Sequence, residues 1–163
     1  MSQPLVLDPA TLTWRWCRFH ELSVFELHNI YRARQQVFAI EQQCVYLDAD
    51  GYDEPAFHLA AWSPAHRVPV AYARLVDPGM KYAEPSMGRV ITTAAARGCG
   101  LGRDLVRRTI EHSALVFPEQ GIRISAQTRL ERFYAEAGFV PIGAPYLEDG
   151  ISHTEMLLPA LPT

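Results

Sequence analysis

Residues 13–18 (TWRWCR) alternate apolar and polar positions closely enough to predict a strand. From 21 to 41 the period changes. Leu27, Ile30, Tyr31, Arg34, Val37, Phe38 and Glu41 follow spacings of three, one, three, three, one and three, which trace one face of a helix. Two charged residues, Arg34 and Glu41, fall on that stripe. The polar run YLDADGYDEP then predicts a loop. Strands are expected at 57–62 and 70–76, joined by a turn with Ser63, Pro64 and His66, and again at 87–93. Residues 102–116 repeat Leu105, Val106, Ile110 and Ala114 at helical spacing, and Pro118 stops the run. Residues 122–126 read as a strand. Thr128 and Glu131 have the spacing of a capping box, opening a helix with Leu130, Phe133, Tyr134 and Ala137 on one side. Gly138 stands where a left-handed C-terminal cap belongs. Short strands near 139–143 and 153–158 complete the chain. Antiparallel strands followed by strand-helix-strand-helix-strand predict a mixed α/β (α+β) fold. With no repeat or linker, 1–163 is expected to form one domain.

Composition narrows the function classes. Of 163 residues, 48% are hydrophobic and 20% charged, which suits an ordinary globular chain. A net charge of −3 argues against a general nucleic-acid binder. Cys17, Cys44 and Cys99 are odd in number and lack a CxxC pair, so neither a disulfide framework nor a zinc knuckle is indicated. The N-terminus lacks a basic start and a continuous apolar segment, and no apolar run approaches the roughly 20 residues that cross a bilayer. A cytoplasmic location is expected, with no membrane partner. LDADGYDE lacks the full ligand spacing of a calcium loop, so no metal is expected.

The chemistry centres on Arg97-Gly-Cys-Gly-Leu-Gly102, between an apolar strand and a helix. A helix N-terminus presents unpaired N–H groups and the positive end of the dipole, and so accepts phosphate. Arg97, Arg103, Arg107 and Arg108 face a single Asp104 locally. A P-loop would need GxxxxGK[ST], and a dinucleotide fingerprint would open the first βαβ unit; neither fits. On spacing alone, a phosphate cradle and a plain tight turn both remain open.

The order of these parts resembles the GNAT N-acetyltransferase superfamily. An apolar strand (89–93), the loop 97–102, a helix, the strand 122–126, and Phe133-Tyr134 before Gly138-Phe139 follow its pattern. More narrowly, the chain is similar to the ElaA branch. The matching pieces are Arg34 with Val37-Phe38, Glu41-Gln42, Asp50-Gly51 and Asp53, His58, Gly88-Arg89-Val90, Ala126-Gln127, Glu148-Asp149-Gly150-Ile151, and His153 with Met156. The resemblance implies a mixed seven-stranded sheet with about four helices, and acetyl-CoA held in a V-shaped opening between two parallel strands that splay apart. It implies pantetheine along Val90, Ile91 and Thr92, with pyrophosphate on Arg97, Gly98, Cys99, Gly100, Leu101 and Gly102. Gln127 joins this cofactor set, and Tyr134 is the acid that protonates the departing thiolate. Ala94 stands where many members carry proline.

Each residue also has a plainer role. Tyr134 lies on an apolar helix face, as a core aromatic would. Arg34 and Glu41 are about 10 Å apart along a helix, too far to pair, so each needs another partner if buried. A core ion network is the expectation for Arg34. Glu41, at the helix end, is expected to face the acceptor cleft and to deprotonate the acceptor through water. Asp50, Asp53 and Glu54 read as a solvated loop, and His58 and His153 as structural histidines. The acidic stretches 48–54 and 148–149 suggest a negative mouth for a cationic amine. The implied activity is transfer of an acetyl group from acetyl-CoA to a primary amine of a small molecule or peptide. A catalytically idle acyl-CoA sensor or interaction module is the alternative, and a homodimer is allowed.

Overall fold

A computed structural model describes residues 7–162. The first residues of the N-terminal segment read for a leader, 1–6, and residue 163 of the expected domain lie outside the described residues.

Eight strands form one mixed sheet. They are β1 (Thr13–Arg18), β2 (Ala56–Trp62), β3 (Ala71–Val76), β4 (Ser86–Thr92), β5 (Ile122–Gln127), β6 (Val140–Pro141), β7 (Tyr146–Glu148) and β8 (Ile151–Leu158). Their order is β1-β2-β3-β4-β5-β8-β6, with β7 also on β8. The described α-helices are α1 (Val24–Gln35), α2 (Leu101–Val116) and α3 (Glu131–Glu136). Seven strands and about four helices become eight and three. The extra strand is β7, which turns into β8 through Asp149 (φ 50°) and Gly150 (φ 76°). Asp-Gly supplies the two left-handed residues that a two-residue hairpin turn needs. The last six residues of the first helical stripe, Gln36–Glu41, wind as a π-helix and form no separate helix.

The sheet is covered on both faces, so β3 is buried throughout. Leu59, Ala61, Ala71 and Ala73 pack against Leu101 and Leu105 of α2. Alternate side chains Ala60, Tyr72 and Ile91 meet Ile30, Ala33, Val37 and Phe38 from α1 and its π turn. The period-two pattern of the strands thus meets a helical stripe on each side.

Two caps behave differently. Ser23 and Glu26 form a reciprocal capping box at the start of α1, with Glu26 N–H donating to Ser23 Oγ at 3.0 Å. The box expected at Thr128 and Glu131 does not form. Thr128 Oγ1 instead pairs with the hydroxyls of Ser152 at 2.8 Å and Thr154 at 3.1 Å, and Thr154 donates to Glu131 at 2.5 Å. Partners on β8 outcompete the local amides, and the turn opens as a 3-10 segment, Thr128–Leu130. Gly138 has φ 104°, the positive value a C-terminal cap requires.

β4 and β5 are the one parallel pair among the described strands. They share a single register pair, Ser86 with Arg123, with Arg123 N–H donating to Pro85 O at 3.0 Å. Past that point the strands diverge. Each remains paired on its other side, β4 with β3 and β5 with β8.

Candidate active site in the β4/β5 cleft

A cavity of about 460 Å³ occupies the opening. Val90 lines it from β4, Ile124, Ala126 and Gln127 from β5, and Tyr134 from α3. The β4 wall is bulged. Tyr72 faces Ile91 and Arg74 faces Gly88, so two residues, Arg89 and Val90, oppose Ala73 alone. Arg89 takes φ 50°, a conformation that non-glycine residues seldom hold without support.

The support is an ion network rooted in the expected loop. Arg34, fully buried, donates from Nε to Asp48 at 2.9 Å and from Nη1 to Asp53 at 2.7 Å. Arg74 Nη1 reaches Asp50 at 2.7 Å and Asp53 at 3.0 Å. Arg89 pairs with Asp48 at 2.9 Å and Asp50 at 3.1 Å. Burial pushes the Asp50 carboxyl up, but hydrogen bonds and charge from Arg74 outweigh it and bring it to about 2. Arg34 therefore sits in the core network expected of it. The solvated-loop reading holds for exposed Glu54 and is corrected for Asp50 and Asp53: Asp53 is only 3% exposed, because three arginines from α1, β3 and β4 converge on this segment. The same pairing removes most of the negative charge that the 48–54 stretch was expected to offer an acceptor.

His58 is structural, as expected. Its Nε2–H donates to the Asp53 carbonyl at 2.8 Å, so Nδ1 accepts from the Tyr72 hydroxyl at 2.7 Å. Burial lowers its pKa to about 4, which keeps it neutral.

The glycine loop has two components. Gly98 (φ 84°) and Gly100 (φ 79°) need positive φ, so the turn itself calls for them. A Cβ on either would meet no atom within 4 Å, leaving the surface above them open. Gly102 has no such φ, and a Cβ there would make an ordinary 3.7 Å contact with Phe133; the chain's own packing does not demand glycine. Gly100 caps α2, and Asp104 is the first residue whose amide bonds within it, leaving those of Leu101, Gly102 and Arg103 available. The Leu101 side chain is core, so only its backbone is offered. The exposed Cys99 thiol donates to Ala96 O at 3.1 Å.

Two predicted residues with separate roles are brought together. Arg97 Nη2 donates to Glu41 Oε2 at 2.5 Å and to Thr92 O at 2.9 Å. Glu41 is thus engaged beside the glycine loop and is not among the residues lining the cavity. Gln127 bridges the cleft, its Nε2 donating to Gln42 Oε1 at 3.1 Å. Tyr134 is 7% exposed, and its ring contacts Phe133 and Phe139 edge-on. Desolvation alone pushes its phenol well above the ordinary value, so the proton stays on.

Residues 38–159 match the family described as acetyltransferase (GNAT) domain. The chain belongs to the GNAT family. ElaA of Escherichia coli is 35% identical over 147 residues, 89% of this chain and 95% of that protein. A UPF0039 protein of Synechocystis is 44% identical over 146 residues, 90% of this chain and 94% of the other. The crystal structure of an acyl-CoA N-acyltransferase from Pseudomonas aeruginosa superposes with a TM-score of 0.85 at 35% identity, covering 90% of this chain and 98% of that one. The fold is therefore that of acyl-CoA-dependent GNAT acyltransferases, with the diverging strand pair that sequence resemblance implied. Among the described residues no helix is long and apolar enough to cross a membrane, and no group of three or more His, Cys, Asp or Glu is placed to hold a metal.

Cavity residues that the sequence reading did not single out include Lys81 and Tyr52, and Glu148, expected only as part of an acidic mouth, lines it as well. Glu148 Oε2 accepts from Ser125 Oγ at 3.1 Å and stands 3.6 Å from His153 Nε2. The Asp-Gly turn after it was a legible hairpin signal that would have placed it facing β8.

Proposed function

We propose that this GNAT chain transfers the acetyl group of acetyl-CoA to a primary amine of a small molecule or peptide by direct attack. The observation that carries the reading is the cleft itself: parallel strands with one register pair, a cavity where they part, and Tyr134 inside it. The residues fit the cosubstrate. Val90, Ile91 and Thr92 offer a strand edge to the pantetheine amides. The open surface over Gly98 and Gly100, with the amides starting α2, suits a pyrophosphate, and Gly102, which packing leaves optional, keeps that approach clear. Glu41 enters this reading through Arg97, whose guanidinium it fixes beside the same loop. Gln127 and Cys99 complete the cofactor set at the strand end and the loop.

Acetyl-CoA supplies a thioester carbonyl and a thiolate leaving group. An alkylamine, pKa near roughly 10.4, arrives as an ammonium ion and must first lose a proton. Of the cavity carboxylates, Asp50 is taken by arginines, whereas Glu148 carries none and receives that proton through water. The nitrogen then bonds to the carbonyl carbon as the C–S bond breaks. Tyr134 gives its proton to the sulfur and regains one from the nitrogen through solvent, leaving amide and free thiol.

The test is thiol release from acetyl-CoA across small amines, polyamines and peptides, with rate followed against pH. Glu148→Gln should slow turnover and move the acidic limb, while Glu41→Gln should mainly raise the acetyl-CoA concentration needed. Binding of acetyl-CoA without thiol release to any amine would mark an idle acyl-CoA sensor instead. An unchanged profile in Glu148→Gln would return the proton-accepting role to another group.

A further inference from the structure

The chain has fourteen arginines and a single lysine, Lys81. That lysine lines the cavity, on the loop between β3 and β4. The loop is tied down: Arg18 pairs with Asp77 at 2.7 Å, Asp77 N–H donates to Pro55 O at 2.9 Å, and Gly79 N–H donates to Tyr82 O at 2.7 Å. The other cations lining the cavity, Arg74 and Arg89, are each matched by carboxylates. Lys81 has no carboxylate within 4.0 Å among the described residues. Its ammonium instead stands 6.0 Å from the Tyr52 ring and 5.6 Å from the Tyr82 ring. The cavity therefore holds one uncommitted cation. Across it, on the β7–β8 hairpin, Glu148 and Asp149 are uncommitted to arginine.

We propose that Lys81 recognises a carboxylate on the acceptor, so that the preferred acceptors are free amino acids or short peptides rather than simple alkylamines or polyamines. This rests on the acyl-transfer reading above. Glu148 then receives the ammonium end and Lys81 the carboxylate end of one zwitterionic molecule. A half-buried ammonium held only by aromatic faces gains more from an incoming carboxylate than one in water, because both the local dielectric and its hydration are reduced. Burial lowers the Lys81 pKa, with repulsion from Arg74 and Arg89 adding to it and attraction from Glu148 and Asp50 opposing it. The tied loop lets it bind without much ordering.

The experiment uses matched acceptors, each an amino acid or dipeptide against its own C-terminal amide. Wild-type protein should favour the acids by about 10-fold or more in kcat/KM, the scale of a lost charged hydrogen bond. Lys81→Met should abolish that preference by raising KM for the acids, leaving kcat, the amides and the KM for acetyl-CoA essentially unchanged. A second readout needs no turnover: with [ε-13C]lysine this chain gives one lysine resonance, that of Lys81. The acids should move it and the amides should not. Equal use of acids and amides by wild type, parallel loss of both in Lys81→Met, a resonance indifferent to every acid, or acetylation of Lys81 itself would each overturn the proposal. A resonance that responds to acids in a protein that releases no thiol would instead sink the transfer reading, leaving a carboxylate site at Lys81 with no acceptor to select.

Discussion

Asp53→Asn should destabilise the protein by about 3–5 kcal/mol, the range for breaking one side of a buried ion pair. Asp53 Oδ1 accepts from both Arg34 at 2.7 Å and Arg74 at 3.0 Å, and all three side chains are buried. The amide keeps the shape but removes the charge, leaving two guanidinium groups sharing Asp48 and Asp50. For contrast, Arg107→Ala on the exposed face of α2 should leave stability close to that of the wild type. The pH dependence has the matching sign. Asp50 and Asp53 have folded pKa values below their unfolded ones, Asp50 at about 2. The stability they contribute is present above the unfolded carboxylate value and drains away as pH falls from near 4 toward 2. Denaturant titrations of wild type and variant at neutral pH and at pH 3 measure both effects. A loss under about 1 kcal/mol at neutral pH would mean that the loop is held by something other than this network.

Tyr134→Phe should lower kcat by ~10²-fold or more, the scale of a removed general acid. Affinity for acetyl-CoA and thermal stability should change little. The ring keeps its edge-on contacts with Phe133 at 5.1 Å and Phe139 at 5.8 Å. The hydroxyl shows only desolvation acting on it, with no hydrogen bond or charge to lose. A purely structural tyrosine would give equal rates in the two proteins. Steady-state thiol release, run beside a melting curve, separates the outcomes.

The period-two and helical patterns placed most elements well, because sheet and helix faces bury the residues those patterns mark. β1 falls on 13–18 as expected, and α2 starts one residue before 102. What escaped depended on distant partners. The Thr128–Glu131 box was a sound local signal that β8 hydroxyls override. Nothing local in Gln36–Glu41 distinguishes a π-helix from the α-helix before it. Asp48, Asp50 and Asp53 look solvated until Arg34, Arg74 and Arg89, up to 41 residues away, are folded onto them. The Arg97–Glu41 pair spans 56 residues. Glu41's place on the helical stripe was legible, but its pairing with Arg97 was not, because that partner comes from the glycine loop. The 48–54 part of the negative mouth failed for the same reason as the solvated loop, because its arginine partners lay across the sheet, whereas Glu148 and Asp149 do line the cavity.

Backbone amide exchange with and without acetyl-CoA tests the central claim most directly. Binding should slow exchange at 90–92 on β4 and at 98–103 around the start of α2, leaving the β1 edge and the β7–β8 turn unaffected. Saturating acetyl-CoA with no added protection in those two segments, or with protection confined to another surface, would contradict the assignment of the β4/β5 cleft.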